Sequence, residues 1–294
     1  MRITNWLMSQ NALGNLNDIR ERITDLQNQI ASGKRYQVPS DNPAVAGQAM
    51  QLRSQFGMAQ TYLDIAQATD EWLSANELAF SQLIDIGSRA LKLGYDGVSD
   101  TQGTTQRKAF ADEVSALLQQ AVDVGNSTHK DNYIFSGHKI LTSPFTLVDP
   151  NTVVYNGDQG DFGLKISPGT TVTANFHGDT IKPFFDALIE LRIALQGEPF
   201  DRNRLTTAID NLATNLETLK TWRSTNGTRQ REVRNQIDFL TRAKTELQSL
   251  LSQKEDVNVA DAISMLRNQE TAYQAALEVT RRAISVTSLF DLLR

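Results

Sequence analysis

His129, His138 and His177 are the three histidines of this 294-residue chain, and histidines are where metal or proton-transfer chemistry is sought first. None stands in an H-x-x-x-H or H-E-x-x-H arrangement. All three lie in or beside turn-rich segments, so they read as surface or loop histidines. "NGDQGDFG", Asn156 to Gly163, has the acidic and glycine content of a calcium or phosphate loop. It fits neither the EF-hand spacing nor G-x-G-x-x-G, and a hairpin turn is the better reading. Ser136 in "FSGHK" lacks the G-x-S-x-G elbow that exposes a nucleophile, and reads as a turn serine. Arg223, Arg229, Arg231 and Arg234 form a basic cluster interspersed with Glu232. With no stacking aromatics interleaved, it reads as the solvated face of a helix start rather than a nucleic-acid surface. Trp72 and Phe80 read as core. These residues supply no catalytic, cofactor or metal site, and the expectation is a protein that is not an enzyme.

Bulk properties narrow the class further. A formal net charge of -5 speaks against nucleic acid or an anionic membrane surface as the main partner. No run approaches the ~18 apolar residues that cross a bilayer. The opening "MRITNWLMSQNALGNLND" has neither an apolar h-region nor a small-residue cleavage site, so no signal peptide is expected. Cysteine is absent, which removes disulfides, thiol nucleophiles and Cys-ligated zinc together.

The elements are helices. Ala12, Leu16, Ile19, Ile23, Leu26 and Ile30 repeat at 4-3-4-3-4, a heptad seam, and Gly33 supplies a stop. Pro39 and Pro43 bracket "SDN", where Ser40, Asp41 or Asn42 can cap the next helix; with Asn42 as the cap, Pro43 takes the first helical position. A second helix is expected from about Pro43 to Lys92, striped by Leu52, Phe56, Ala59, Leu63 and Ala66, with "LGYDGVSDTQGTT" as its break. A third carries Phe110, Val114, Leu117, Ala121 and Val124. Between about Asn132 and Lys182 the period changes to short alternating runs, with Phe162, Leu164 and Ile166 on one face. This predicts a small antiparallel β insertion, peripheral and dispensable for the helical fold. Helices then resume through Phe184–Leu195, Leu205–Leu219 and, after Asn226-Gly227, Val233–Leu251. The last run, from about Val257, carries two stripes: Ala272, Ala276, Val279, Ala283, Val286, Phe290, Leu293, and Ile263, Leu266, Tyr273, Leu277, Ile284. A helix apolar on so much of its surface needs partners on more than one side, so the termini should pair and also form an assembly surface.

The residues then show a resemblance. "IASGKRYQVPSDNPAVAGQA" resembles the entry motif of the flagellin superfamily, and "NVADAISMLRNQETAYQAALEVTRRAISVTSLFDLLR" resembles its paired C-terminal helix. "NYIFSGHKILTSPF", Asn132 to Phe145, is similar to the segment leading into the β domain of the hook-associated protein 3 family, the hook–filament junction branch, and "VVYNGDQGDFGLKISPGTTVTANFHGD" matches that family's insertion in style. The likeness spans essentially the whole chain. Asn42 stands where a second Asp is common, and Asn caps as well.

The resemblance implies a mainly α fold: a long antiparallel helical coiled-coil bundle formed by N- and C-terminal segments, with a small inserted β domain. Its expected parts are 1–42 (N-terminal helix), 43–140 and 183–256 (the two halves of a helical bundle), 141–182 (inserted β domain) and 257–294 (C-terminal helix). It also implies a structural adaptor, a ring of copies between hook-associated protein 1 and flagellin in the extracellular flagellum. Export would use the flagellar type III system without a cleaved signal, and a cytosolic export chaperone would hold the C-terminal region. No cofactor, nucleic acid or membrane insertion is implied. A small flagellin is the alternative. The expected assembly interface is Leu16, Ile19, Ile23, Leu26, Ile30, Ala272, Ala276, Val279, Ala283, Val286, Phe290 and Leu293, and the expected hinge is Gly33, Pro39, Asp41, Asn42 and Pro43.

Overall fold

The computed structural model describes the backbone of residues 2–99 and 103–292, and side-chain surroundings for 6–7, 10–99 and 103–281. It is mainly α. In chain order come α1 (Arg2–Ser32), α2 (Pro43–Val98), α3 (Thr104–Gly125), β1 (Thr128–His129), β2 (Asn132–Tyr133), β3 (Phe145–Asp149), β4 (Thr152–Tyr155), β5 (Gly163–Ser167), β6 (Thr170–Thr173), α4 (Lys182–Gln196), α5 (Arg202–Glu255) and α6 (Val259–Leu292). Two compact units result, one of residues 1–58 with 244–294 and one of 59–243. The division falls inside α2 and α5 rather than at the linkers.

In the 59–243 unit the apolar stripes read from sequence meet in one core. Phe80 and Leu83 of α2, Val114 and Leu118 of α3, Phe184, Leu188 and Leu191 of α4, and Leu205, Ile209 and Leu212 of α5 are all buried together. Trp72 is half-buried against the same cluster. The first sequence break begins later than expected, and a second is helical throughout. The helix expected to stop near Lys92 runs to Val98, because Gly94 permits a close approach rather than a turn. A Cβ on Gly94 would stand 2.9 Å from Ile209 Cγ1 and 3.0 Å from Leu191 Cδ1. Asn226-Gly227 likewise lies within the uninterrupted α5. Asn226 is buried, and its Nδ2 donates to Leu73 O at 2.9 Å, so tertiary packing overrides a local turn preference.

The β insertion consists of three separate antiparallel pairs, β1–β2, β3–β4 and β5–β6. Alternation holds on β5, where Ile166 is buried and Leu164 and Phe162 are half-buried. "NGDQGDFG" is not a hairpin turn, since β4 pairs back to β3 and β5 forward to β6; it connects two hairpins. Nor is the insertion peripheral. Phe145, Val153 and Phe176 belong to the same buried cluster as the helices, while Ile166 and Val172 form a second cluster with Ala66, Leu73 and Val233. Two-stranded hairpins are marginal alone, and here they gain stability by giving their large residues to the helical core.

Candidate functional site

In the unit of residues 1–58 and 244–294, the polar chemistry gathers where α1 passes to α2 and α5 passes to α6. Gly33 sits at φ +69°, the left-handed conformation that ends a helix, with open space where a Cβ would be. Pro39 lies in the following turn, which Asp41 closes: its Oδ2 accepts from Gln37 N at 3.0 Å and Val38 N at 3.1 Å. Among the cap candidates, Asn42 is the one that caps α2, its Oδ1 accepting from Val45 N at 3.1 Å. Pro43 is the first helical residue. Pro39 and Asp41 thus shape a loop, while Asn42 and Pro43 start a helix.

This linker does not end at itself. Lys34 and Asp256 form an antiparallel bridge, in which Val257 N donates to Gly33 O at 3.0 Å and Arg35 N donates to Glu255 O at 2.7 Å. Charges reinforce it. Lys34 Nζ lies 2.6 Å from Asp256 Oδ1 and 3.4 Å from Glu255 Oε2, which also accepts from Arg53 Nη2 at 2.8 Å. The Glu255 side chain is 12% exposed. The Lys34 hydrogen bond, helped by one from Ser252, holds the Asp256 carboxyl below the usual carboxylate range. Reciprocally, the bond to Asp256 raises the Lys34 ammonium above the usual lysine value. Asn258 then caps α6 through its Oδ1, which accepts from Ala260 N at 3.1 Å. Lys34, Arg53, Glu255, Asp256 and Asn258 escaped the sequence reading. Asn258, a cap-type residue just before an apolar run, had a local signal; the ion cluster had none, because its members come from opposite ends of the chain.

α1 packs along α6. On α1, Leu16 is buried and Ile19, Ile23, Leu26 and Ile30 are half-buried, so the heptad seam is the paired face. On α6 the non-exposed described positions are Ala262, Leu266, Gln269, Tyr273, Ala276, Glu278 and Thr280; all but Glu278 repeat at 4-3-4-3-4. Ala272 is exposed, and Val279 is 67% exposed. Of the expected α6 stripe only Ala276 therefore joins the paired face among the described side chains. Ala283, Val286 and Phe290 lie in α6 with side chains outside the described residues, and Leu293 lies outside them altogether. Trp6, Leu7, Leu13, Ile263, Met265 and Leu277 are also exposed large apolar residues of this unit.

The residues first considered for chemistry have structural partners. His129 meets the Trp72 ring edge-on at 5.8 Å, and His138 lies 5.3 Å from the Phe162 ring. His177 Nε2 is 3.1 Å from Asp161 Oδ1. Among the described residues no group of three or more His, Cys, Asp or Glu is placed to hold a metal. Ser136 is buried, and its Oγ donates to Tyr133 O. In "NGDQGDFG", Asp158 Oδ1 accepts from His138 N at 2.7 Å and Gly160 N at 2.9 Å, which holds its carboxyl below the usual range. The arginines lie in mid-α5, not at a helix start; Arg223 pairs with Glu77 and Arg234 with Asp70 of α2. Among the described residues no helix is long and apolar enough to cross a membrane.

The chain is thus mainly α, with α1 and α6 paired in one unit and a helical core completed by β hairpins in the other. Residues 3–141 match the model of the bacterial flagellin N-terminal helical region. Flagellar hook-associated protein 3 of Salmonella typhimurium is 26% identical, with each chain covered over its full length. A Clostridium tyrobutyricum flagellin is 28% identical over 60% of this chain and 44% of its own. The crystal structure of Bacillus cereus FlgL superposes with a TM-score of 0.61 at 19% identity, covering 69% of this chain and 99% of that one, and so shares the fold. The chain thus carries a flagellin N-terminal helical region and is similar over its full length to a flagellar hook-associated protein 3.

Proposed function

We propose that this chain is the junction subunit between hook and filament, a structural part of the flagellum without catalysis. The observation that carries this reading is the end-to-end correspondence with a hook-associated protein 3, against a match to less than half of a flagellin. In the proposal, copies form a ring through the terminal helices, with the seam Leu16–Ile30 holding each α1–α6 pair and the exposed Val279 face meeting neighbours. Hook-associated protein 1 lies on one side and flagellin on the other. Gly33, Pro39, Asp41, Asn42 and Pro43, with the Lys34–Glu255–Asp256 cluster, set the angle at which the chain leaves the terminal pair. Export proceeds through the flagellar type III channel without a cleaved signal, after a cytosolic chaperone has held the C-terminal region.

A deletion strain examined by electron microscopy tests this. Intact hooks without filaments, with flagellin shed into the medium and filaments restored by the plasmid-borne chain, are expected. Filaments of normal length in the deletion strain overturn the junction role, and extensive self-polymerisation of the purified chain favours the small-flagellin alternative.

A further inference from the structure

Beside α5, in the unit of residues 59–243, lies an open cleft of about 370 Å³ that the assembly reading does not use. Its floor is aromatic: the Phe176 and Trp222 rings are 5.3 Å apart at 51°. Arg229 stands over the Phe176 ring at 4.7 Å and donates from Nη1 to Asn175 O at 3.4 Å. Unlike Arg223 and Arg234, which pair with carboxylates of α2, it feels its neighbouring acid, Asp161, only through space. The guanidinium fork is therefore oriented by an aromatic face and left with donors for a planar acceptor. Asp161 lines the same cleft, its side chain 65% exposed and one oxygen engaged by His177. Thr225 is exposed at the rim, and its hydroxyl already donates to Thr221 O, so toward a ligand its oxygen can only accept.

We propose that this cleft binds a sugar acid, a pyranose ring bearing a carboxylate. The carboxylate meets the Arg229 fork, the ring's C–H face lies on Trp222, and Asp161 and Thr225 accept ring hydroxyls. Other classes fit less of what is present. A bare anion would use Arg229 but leave the Trp222 face and the Thr225 oxygen unengaged, and a neutral sugar leaves Arg229 unused.

The test is a titration of the full chain, followed by the indole N–H resonances of its three tryptophans, with Trp222→Phe assigning the relevant signal. Glucuronate, glucose and acetate are compared at equal ionic strength. Glucuronate should move the Trp222 signal, glucose about tenfold more weakly for want of the charge-assisted bond, and acetate not at all. Arg229→Gln should remove the preference for glucuronate over glucose. Thr225→Trp, at an exposed helical position, should block the cleft while leaving the melting temperature unchanged. No response to glucuronate overturns the proposal, as does an equal response to acetate, which marks a plain anion site, or an undiminished response in the Thr225→Trp chain.

Discussion

Replacing Glu255 with Gln should loosen the bridge between the two linkers while leaving the 59–243 core as it was. The Glu255 carboxylate accepts from Arg53 at 2.8 Å and Lys34 at 3.4 Å, and hydrogen bonds to charged groups contribute about 1.5–3 kcal/mol each. Both cations are substantially exposed, at 61% and 44%, so solvent screening reduces the pair's joint contribution to about 1–1.5 kcal/mol. Gln retains a neutral acceptor, and the expected loss is about 1 kcal/mol, a factor of about five in the opening equilibrium. The reporters are built into the joint: the Arg35 and Val257 amides donate across it. Their hydrogen exchange should accelerate about fivefold, while an amide near Val114, deep in the other unit's core, should keep its rate. A double-mutant cycle with Arg53→Met isolates the pairwise part. Unchanged exchange at both joint amides would refute the reasoning, and so would equal acceleration near Val114, which would mean that the substitution acts globally.

Acid should open the same joint. Asp256 has its folded pKa depressed by Lys34, so its contribution is present above the unfolded carboxylate value and is lost as pH falls through the lower folded one. Lys34, raised by the same contact, contributes fully below the unfolded lysine value and loses that contribution only as pH rises through its raised folded value. Exchange at Arg35 and Val257, corrected for intrinsic rates, should therefore be slowest between those limits, and a joint indifferent to acid would contradict the assignment. Gly125→Ala should lower stability by about 1–3 kcal/mol through overpacking, since its Cβ would stand 2.8 Å from Phe145 Cδ2 and 3.1 Å from Phe185 Cζ; thermal melting reads this as a clear fall in Tm. Val279→Asp, at a 67% exposed position, should change monomer stability by no more than about 0.5 kcal/mol. It should nonetheless abolish filament attachment, because an unpartnered carboxylate buried between subunits costs several kcal/mol; filament counts by microscopy check it, and normal filaments remove Val279 from the interface.

Periodicity alone carried the helices and most of the core. The spacing of Phe184, Leu188, Leu191 and Leu195, or of Leu205, Ile209 and Leu212, admits one buried face, and those residues are buried. The Gly33 stop and the Asn42–Pro43 start were legible for the same reason, since capping and φ restriction act within a few residues. What the sequence left open was every decision made by residues far apart in the chain. Gly94 reads as a break and serves as a contact point for Ile209 and Leu191. Asn226-Gly227 reads as a turn, yet the backbone of Leu73 and the neighbouring helices hold it in α5. The β insertion reads as an appendage, yet Phe145, Val153 and Phe176 complete the helical core. The joint's ion cluster joins Lys34 and Arg53 to Glu255 and Asp256, a meeting that no local pattern encodes. Hydrophobic burial and charge pairing depend on what surrounds a residue in space, and only the folded chain supplies those surroundings.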